Sequence, residues 1–371
     1  MSTIKPVRVL ICTGHTGGHF FPAISFAEAF KAAHPEVEIH ILMTRRAEFV
    51  ERFQSENSFY FCIASLPPMP AVFSFKMLLF LLQCVKAFGR TLLLFQRVKP
   101  ALVVGFGSFG SVPGVLCAVC FQKPILLHEQ NVAIGRANQF LCRWANQIAV
   151  SFPETKGKFS QSKVFYSGYP LRTSFLQDFR DLSDQRSDKK LFTILVFGGS
   201  QGANRLNQVF LEVLETLSIE ERTGLAVIHN VGNDELTRIK KRYEELGVVA
   251  DVSTFSYQIS EQYKRADVVI ARAGAGTIFE LAAVGRAGIL IPYPHAYAHQ
   301  KLNADYLAQR NAARVIAEEN LSQKTLRNTL LELKNKADQR NQLSMNIRQL
   351  ANEKASQVLV EAGLRLICEK N

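Results

Sequence analysis

Three glycine-rich stretches carry the strongest chemical signal in this chain of 371 residues. Gly14-His-Thr-Gly-Gly18 and Gly198-Gly-Ser-Gln-Gly202 each follow a short apolar run and precede a helix-like pattern. Such a turn leaves backbone N–H groups unpaired at a helix start, where the dipole adds positive character, and that suits phosphate oxygens. The third stretch, Arg272-Ala-Gly-Ala-Gly-Thr-Ile-Phe-Glu280, repeats the arrangement. Glu280 falls one helical turn after Gly276, so its carboxylate can accept hydrogen bonds from a ribose diol near the helix start. Turns whose glycines serve only packing, and an acid that only offsets the helix dipole, are the alternatives.

A fourth cluster, His128-Glu-Gln-Asn131, ends an apolar run. The carboxyl ends of strands are where open α/β sheets bind ligands. A nicotinamide cofactor is not expected, because the second strand-like run ends in Thr44-Arg45-Arg46 where an acid would be needed for the ribose. The chain has no Asp-x-Asp pair, so a metal chelated on a sugar diphosphate has no support and no metal site is expected.

These clusters need elements to position them. Apolar, β-branched runs at 7–12, 38–43, 102–104, 124–128, 147–150, 192–197, 225–229, 268–270 and 289–292 alternate with longer helical patterns. That alternation predicts α/β architecture with parallel sheets covered by helices on both faces. The strand, glycine-rich turn and helix at Gly14 recur 184 residues later at Gly198, which points to two Rossmann-like domains. The charged stretch 178–190 lacks core-forming residues and reads as a linker or surface excursion. The expected domains are 1–166 and 167–346, with a C-terminal helix at about 347–371 crossing back to the first.

Residues 73–98 form a different signal. At 100° per residue Lys76, Gln83, Lys86, Arg90 and Arg97 fall within about an 80° arc, while Phe73, Met77, Leu78, Leu81 and further apolar residues fill the rest. That is more apolar circumference than one core contact requires, and it favours a surface dipping into a bilayer with a basic rim. An unusually buried helix, or two helices, is the alternative. The longest charge-free run, 77–85, is nine residues, which speaks against a spanning helix. The 22 uncharged residues at 101–122 are interrupted by Gly105, Gly107, Gly110, Pro113 and Gly114 and read as strand, loop and helix.

The net charge of +12 is uneven: residues 1–166 hold 17 basic and 8 acidic side chains, a balance of +9. An anionic partner should therefore meet the first half. Nucleic acid is not expected, since the basic excess accompanies an apolar helix and no recognised module. Seven cysteines, including Cys117 and Cys120 in an apolar segment, show no disulfide framework or zinc spacing and suit packing in a reducing compartment. Residues 1–8 run directly into a strand too short for a secretory apolar region, so no signal peptide is expected.

Gly14-His-Thr-Gly-Gly-His19 with Phe21-Pro22-Ala23, then His128-Glu-Gln-Asn131, Gly198-Gly-Ser-Gln-Gly-Ala203, and the Glu280 cluster with His299-Gln300 and Asn303-Ala304, resemble the MurG family of bacterial transferases. The motifs keep the family's order over about residues 7–316. The resemblance implies two Rossmann-like domains facing a cleft, the GT-B glycosyltransferase architecture. It implies transfer of N-acetylglucosamine from UDP-N-acetylglucosamine to undecaprenyl-pyrophosphoryl-muramoyl-pentapeptide, with acceptor and membrane on the first domain and donor on the second. No cofactor is implied. The expected place is the cytoplasmic face of the bacterial plasma membrane, peripherally, with an anionic membrane surface and other cell-wall synthesis or division proteins as partners.

Carried over by motif position, Thr16, Gly17 and Gly18 approach the donor sugar and diphosphate, and Asn131 holds the N-acetylglucosamine. Arg172, Ser200, Ser256, Ala275, Gly276, Thr277, Ile278, Phe279, Glu280 and Gln300 are donor contacts, Ser256 through its backbone to uracil and Glu280 to the ribose. The sequence departs from the family's pattern at Tyr169, where Asn is usual, at Ala273, where Ser is common, and at Phe109, where the family has Tyr.

The chemistry implied is a single inverting displacement by the muramoyl carbon-4 hydroxyl, which needs a base and stabilised charge on the leaving diphosphate. His19 is the first choice for the base, with His128 and Glu129 as rivals and a residue that merely orders the turn as the alternative for His19. Competing functions are a GT-B enzyme acting on another membrane lipid, a UDP-sugar 2-epimerase and a non-catalytic UDP-sugar sensor.

Overall fold

The computed structural model describes residues 6–45, 50, 53, 59–64, 76–180, 191–198, 204–254, 259–294 and 299–370. The chain divides into two compact units, Met1–Thr173 with Glu353–Asn371, and Ser174–Asn352. Both boundaries fall a few residues later than the sequence reading placed them.

In the first unit a parallel sheet runs in the order β3-β2-β1-β4-β5-β6-β7. Its strands are β1 (Arg8–Thr13), β2 (Glu38–Met43), β3 (Tyr60–Ile63), β4 (Leu102–Gly105), β5 (Ile125–Glu129), β6 (Gln147–Val150) and β7 (Val164–Tyr166). The central strands β4 and β5 are buried along their whole length, which is why they read as continuous apolar runs.

The side-chain period of two sends Val9 and Ile11 of β1 to one face and Leu10 and Cys12 to the other. On the first face lie α1 (Gly17–Ala33) and α14 (Ala355–Cys368), with Phe26, Phe30, Leu359 and Leu366 in one core. A Cβ on Gly363 would sit 2.9 Å from Leu102 Cδ2, so a larger residue would have to displace that side chain or push α14 outward. On the other face lie α2 (Lys76–Val98) and α3 (Ser111–Cys120).

The second unit repeats the plan, with β8 (Phe192–Phe197), β9 (Leu225–Asn230), β10 (Val249–Ser253), β11 (Val268–Ala271), β12 (Ala287–Leu290) and β13 (Arg314–Val315) in the parallel order β10-β9-β8-β11-β12-β13. Ile194, Val196 and Ile270 pack against Phe210 and Leu214 of α6 (Asn204–Thr216) and Leu330 of α12 (Gln323–Asn335).

In each sheet the strand order reverses beside the first strand, between β1 and β4 and between β8 and β11. Ligands of doubly wound sheets bind outside the carboxyl ends of the strands at that reversal. All three glycine-rich stretches of the sequence follow a strand that borders one of these points. The strand expected at 289–292 lies two residues earlier, at Ala287–Leu290. Strands β3, β7, β10 and β13 escaped the sequence reading: each is an edge strand of two to five residues, mostly exposed or half-buried, and too short to stand out from its surroundings.

Candidate functional site

At the reversal point of the first sheet, β1 passes through residues 14–16 into α1, with Thr16 as an extended N-cap. The N–H groups of His19 and Phe20 donate to the Thr16 carbonyl at 3.1 and 3.0 Å. Helix geometry gives the N–H groups of Gly17 and Gly18 no acceptor within the helix. Gly18 is exposed, and a Cβ there would meet nothing within 4 Å. The turn therefore presents amides and free space together, as an anionic ligand requires.

His19, third in the helix, is half-buried, and its Nδ1 lies 2.9 Å from the Phe106 carbonyl oxygen beyond β4. A carbonyl can only accept, so Nδ1 carries the proton and the neutral ring's lone pair is on Nε2. The loop that delivers this carbonyl needs left-handed backbone at Gly107, φ 76°, and Ser108, φ 61°. A Cβ on Gly107 would lie 3.3 Å from both Cε1 and Nδ1 of His19, so glycine is favoured there by the left-handed backbone and by the tight space beside the ring. Thr13 Oγ1 donates to the His19 carbonyl at 2.8 Å.

The end of β5 is buried, with His128, Glu129 and Gln130 at most 1% exposed. Glu129 Oε1 accepts from the backbone N–H and the side-chain amide of Asn131, at 3.0 and 3.1 Å. Its Oε2 accepts from the Gly135 N–H and Asn138 Nδ2, both at 2.9 Å. Four donors on one carboxylate make it an anchor that shapes residues 129–138 and orients Asn131. Burial pushes the pKa of His128 down to about 4, so it is neutral at physiological pH. Its Nε2 faces the Gly168 carbonyl at 3.2 Å and Ser151 Oγ at 3.3 Å. These surroundings leave His19 the better placed of the three histidine and glutamate candidates for proton transfer.

In the second unit β11 ends at Ala271, and Gly274 in extended conformation caps α10 (Ala275–Val284) with no side chain closing the cap. The N–H groups of Ala275, Gly276 and Thr277 are thus the first-turn donors of this helix. Ile278 and Phe279 are buried and fix the helix in the core. Glu280 is half-buried one turn on, and the phenol of fully buried Tyr263 donates to its Oε2 at 3.0 Å. Burial and the adjacent carboxylate hold the Tyr263 pKa well above its usual value, so the phenol keeps its proton.

Buried Asn303 donates from Nδ2 to the Ala273 carbonyl at 3.4 Å, tying α11 (His299–Gln309) to the turn. Gln300 Oε1 accepts from the Tyr293 N–H at 2.9 Å. Arg272, buried, pairs with Glu318 and donates to the Ile291 carbonyl at 3.3 Å. Tyr263, Glu318 and the anchoring role of Asn138 were not found in the sequence; each lies at least nine residues from its partner.

Ser200, Ser256 and Phe73 lie outside the described residues. Arg172 belongs to the first unit, where its guanidinium sits 5.3 Å from the centre of the Phe21 ring. Of the departures from the family's pattern, Tyr169 is buried edge-on to His128, Ala273 is fully buried, and Phe109 packs against Phe80 of α2. Cys117 is buried, which pushes its pKa up to about 12, and Cys120 is exposed; all seven cysteines are unbridged. Among the described residues no group of three or more His, Cys, Asp or Glu is placed to hold a metal ion.

The segment around 73–98 is one helix, α2, over its described part. Ala87, Thr91, Phe95 and Val98 are buried on one side, and Phe80 with them. On the opposite side Leu78, Leu82, Val85 and Leu93 are 52–70% exposed, and Lys86, Arg90 and Arg97 flank this stripe along one edge. Leu81 is also exposed, whereas Met77 is half-buried toward the packed side. By length and composition the helix does qualify as a membrane span, contrary to the reading from its nine-residue charge-free run. Its packed face and the two central cations make it instead a helix that lies along the surface of the unit.

Two all-parallel Rossmann-like units, each with a glycine-rich helix start at its point of strand reversal, define the GT-B class of nucleotide-sugar enzymes. Residues 9–150 match the glycosyltransferase family 28 N-terminal domain, and residues 193–359 its C-terminal domain. A UDP-N-acetylglucosamine–N-acetylmuramyl-(pentapeptide) pyrophosphoryl-undecaprenol N-acetylglucosamine transferase of Desulfotalea psychrophila is 32% identical, covering 99% of both chains. The Geotalea uraniireducens transferase of the same name is 34% identical over 97% of this chain and 98% of its own. The crystal structure of Acinetobacter baumannii MurG superposes with a TM-score of 0.76 at 25% identity, covering 97% of this chain and all of that one. The chain belongs to the MurG family of N-acetylglucosaminyltransferases within glycosyltransferase family 28.

Proposed function

We propose that this enzyme moves N-acetylglucosamine from UDP-N-acetylglucosamine to the muramoyl carbon-4 hydroxyl of undecaprenyl-pyrophosphoryl-muramoyl-pentapeptide, forming the lipid-linked disaccharide precursor of peptidoglycan. The reading rests on the relationship over nearly the full chain, and the described helix starts supply the chemistry it needs. The second unit takes the donor: the amides of 275–277 face the diphosphate and Glu280, set by Tyr263, accepts from the ribose. Gln300 and, by motif position, Ser200 and Ser256 complete that site. The first unit takes the acceptor; by motif position its Thr16, Gly17 and Gly18 approach the donor sugar and diphosphate, Asn131 holds the N-acetylglucosamine, and Arg172, which lies beside the Phe21 ring, is a further donor contact.

His19 is the general base. Its Nε2 lone pair accepts the hydroxyl proton as the oxygen attacks the anomeric carbon from the face opposite UDP. The bond to the diphosphate breaks, its electron pair leaves on the phosphate oxygen, and the helix-start amides stabilise that charge. His128 and Glu129 shape the pocket around Asn131 and Gly168 without taking the proton.

The outward stripe of α2 with its basic edge supports attachment to an anionic bilayer at the cytoplasmic face of the plasma membrane, where the lipid-linked acceptor resides. The test is a transfer assay with the lipid-linked muramoyl acceptor, comparing UDP-N-acetylglucosamine with UDP-glucose. Formation of the disaccharide from the first donor only is the expected outcome; transfer to diacylglycerol instead, or conversion of the donor to its 2-epimer without transfer, would overturn the reading.

A further inference from the structure

Gln130 is 1% exposed and sits where the ends of β4 and β5 meet, yet its side chain is used on one side only. Its Nε2 lies 3.1 Å from the Phe106 carbonyl oxygen, 3.1 Å from His128 Nδ1 and 3.2 Å from the His128 carbonyl oxygen. Its Oε1 is buried without a hydrogen-bond partner. A buried acceptor left unsatisfied is destabilising, so the amide is not there for its carbonyl. Two of the neighbours of Nε2 are carbonyl oxygens, which can only accept, and this excludes the flipped amide, in which the carbonyl oxygen would face them; the third, His128 Nδ1, accepts because His128 Nε2 faces the Gly168 carbonyl and so carries the ring's proton.

The Phe106 carbonyl thus receives two N–H groups, from Gln130 and from His19 Nδ1. Neutral His128 carries its proton on Nε2, toward the Gly168 carbonyl, and accepts from Gln130 at Nδ1. One amide and one carbonyl hold the two imidazoles in opposite tautomers. We propose that Gln130 is a positioning residue for His19: it fixes the Phe106 carbonyl where the Nδ1 proton of His19 meets it and so keeps the His19 lone pair on Nε2. This rests on His19 being the base.

The same geometry excludes substitutes. Glutamate has the same shape but its carboxylate presents oxygen to three acceptors, and methionine fills a similar volume with no donor.

The experiment uses the full chain labelled with nitrogen-15 histidine, recorded at neutral pH as wild type, Gln130→Met and Gln130→Glu, with His19 signals assigned by their loss in His19→Gln. In the wild type His19 should show a protonated Nδ1 and an unprotonated Nε2. In both Gln130 variants the two signals should move toward each other as the second tautomer gains population. The turnover number should fall about tenfold while KM for UDP-N-acetylglucosamine stays within about twofold. A folded variant with an unchanged His19 spectrum overturns the proposal, whether or not turnover falls, because any loss then travels by another route. Near-normal turnover in His19→Gln would instead remove His19 from the base role, and the positioning claim would then be decided by the spectra of the Gln130 variants alone.

Discussion

The phenol of Tyr263 and the carboxylate of Glu280 meet at 3.0 Å, and this bond, between the helix Ile259–Arg265 and the helix that starts at Ala275, fixes where the carboxylate points. Tyr263 also packs edge-on against Phe175 and Phe197, so its hydroxyl has little freedom to move. Tyr263→Phe removes one neutral donor to a charged acceptor and leaves the ring packing intact. A loss of about 1.5 kcal/mol, close to tenfold in UDP affinity, is expected by calorimetry, with turnover at saturating donor little changed. Unchanged UDP affinity would show that Glu280 does not depend on Tyr263.

Replacing His19 with alanine removes the proposed base while keeping a good helix former in the first turn. Turnover should fall by about 10² or more, and UDP affinity, which the proposed function assigns to the second unit, should stay within about twofold. Stopped or steady-state transfer assays that find near-normal rates would take His19 out of the chemistry.

Two buried histidines make stability depend on acid. Burial lowers the pKa of His128 to about 4 and that of His229 to about 3, against 6.5 for an exposed histidine. His229 is held between Tyr243 Oη at 2.8 Å and Asn207 Oδ1 at 3.1 Å. Because both values are depressed, the unfolded chain takes up the proton first. Full stability is therefore present above about pH 6.5 and is lost progressively as the pH falls toward 4 and 3. At pH 5 each histidine should cost its own unit on the order of 2 kcal/mol relative to neutral pH. Denaturant melts at pH 5 and 7.5 would measure this, and a stability that does not change between them would contradict it.

The exposed stripe of α2 should govern membrane attachment. Leu78→Glu with Leu82→Glu places two charges where an apolar surface is expected to enter the lipid, and both positions are more than half exposed. Partition onto vesicles containing anionic lipid should drop at least about tenfold, while folding stability changes by about 0.5 kcal/mol or less. Lys86→Glu with Arg90→Glu should weaken binding to anionic vesicles far more than to neutral ones. Flotation that is indifferent to both pairs would refute the surface.

Much of the fold was legible along the chain because parallel strands buried on both faces are apolar nearly throughout, and the runs at 102–104, 192–197 and 268–270 announce themselves that way. The glycine-rich turns were legible for a related reason: a helix start that leaves amides open needs small residues at a set spacing after a strand. The edge strands β3, β7, β10 and β13 were not, since a strand with a partner on one side only can be as short as two to five residues and need not be buried, which leaves little periodic signal. The amphipathic character of 76–98 showed in the sequence, but which side faces out did not, because a helix with apolar residues on most of its circumference does not say which part finds a partner.

The amino-acid sequence by itself determined the central strands, the division into two sheets and the residue types at each helix start, since these depend on periodicity and local backbone preference. The tertiary structure alone decided that Glu129 is an anchor with four donors, that His19 Nδ1 donates a hydrogen bond to the Phe106 carbonyl, that Tyr263 aims Glu280 and that Gln130 joins two histidines. A hydrogen bond needs its partners within about 3 Å, and spacing along the chain does not encode which distant residues reach that distance once the sheets are wound.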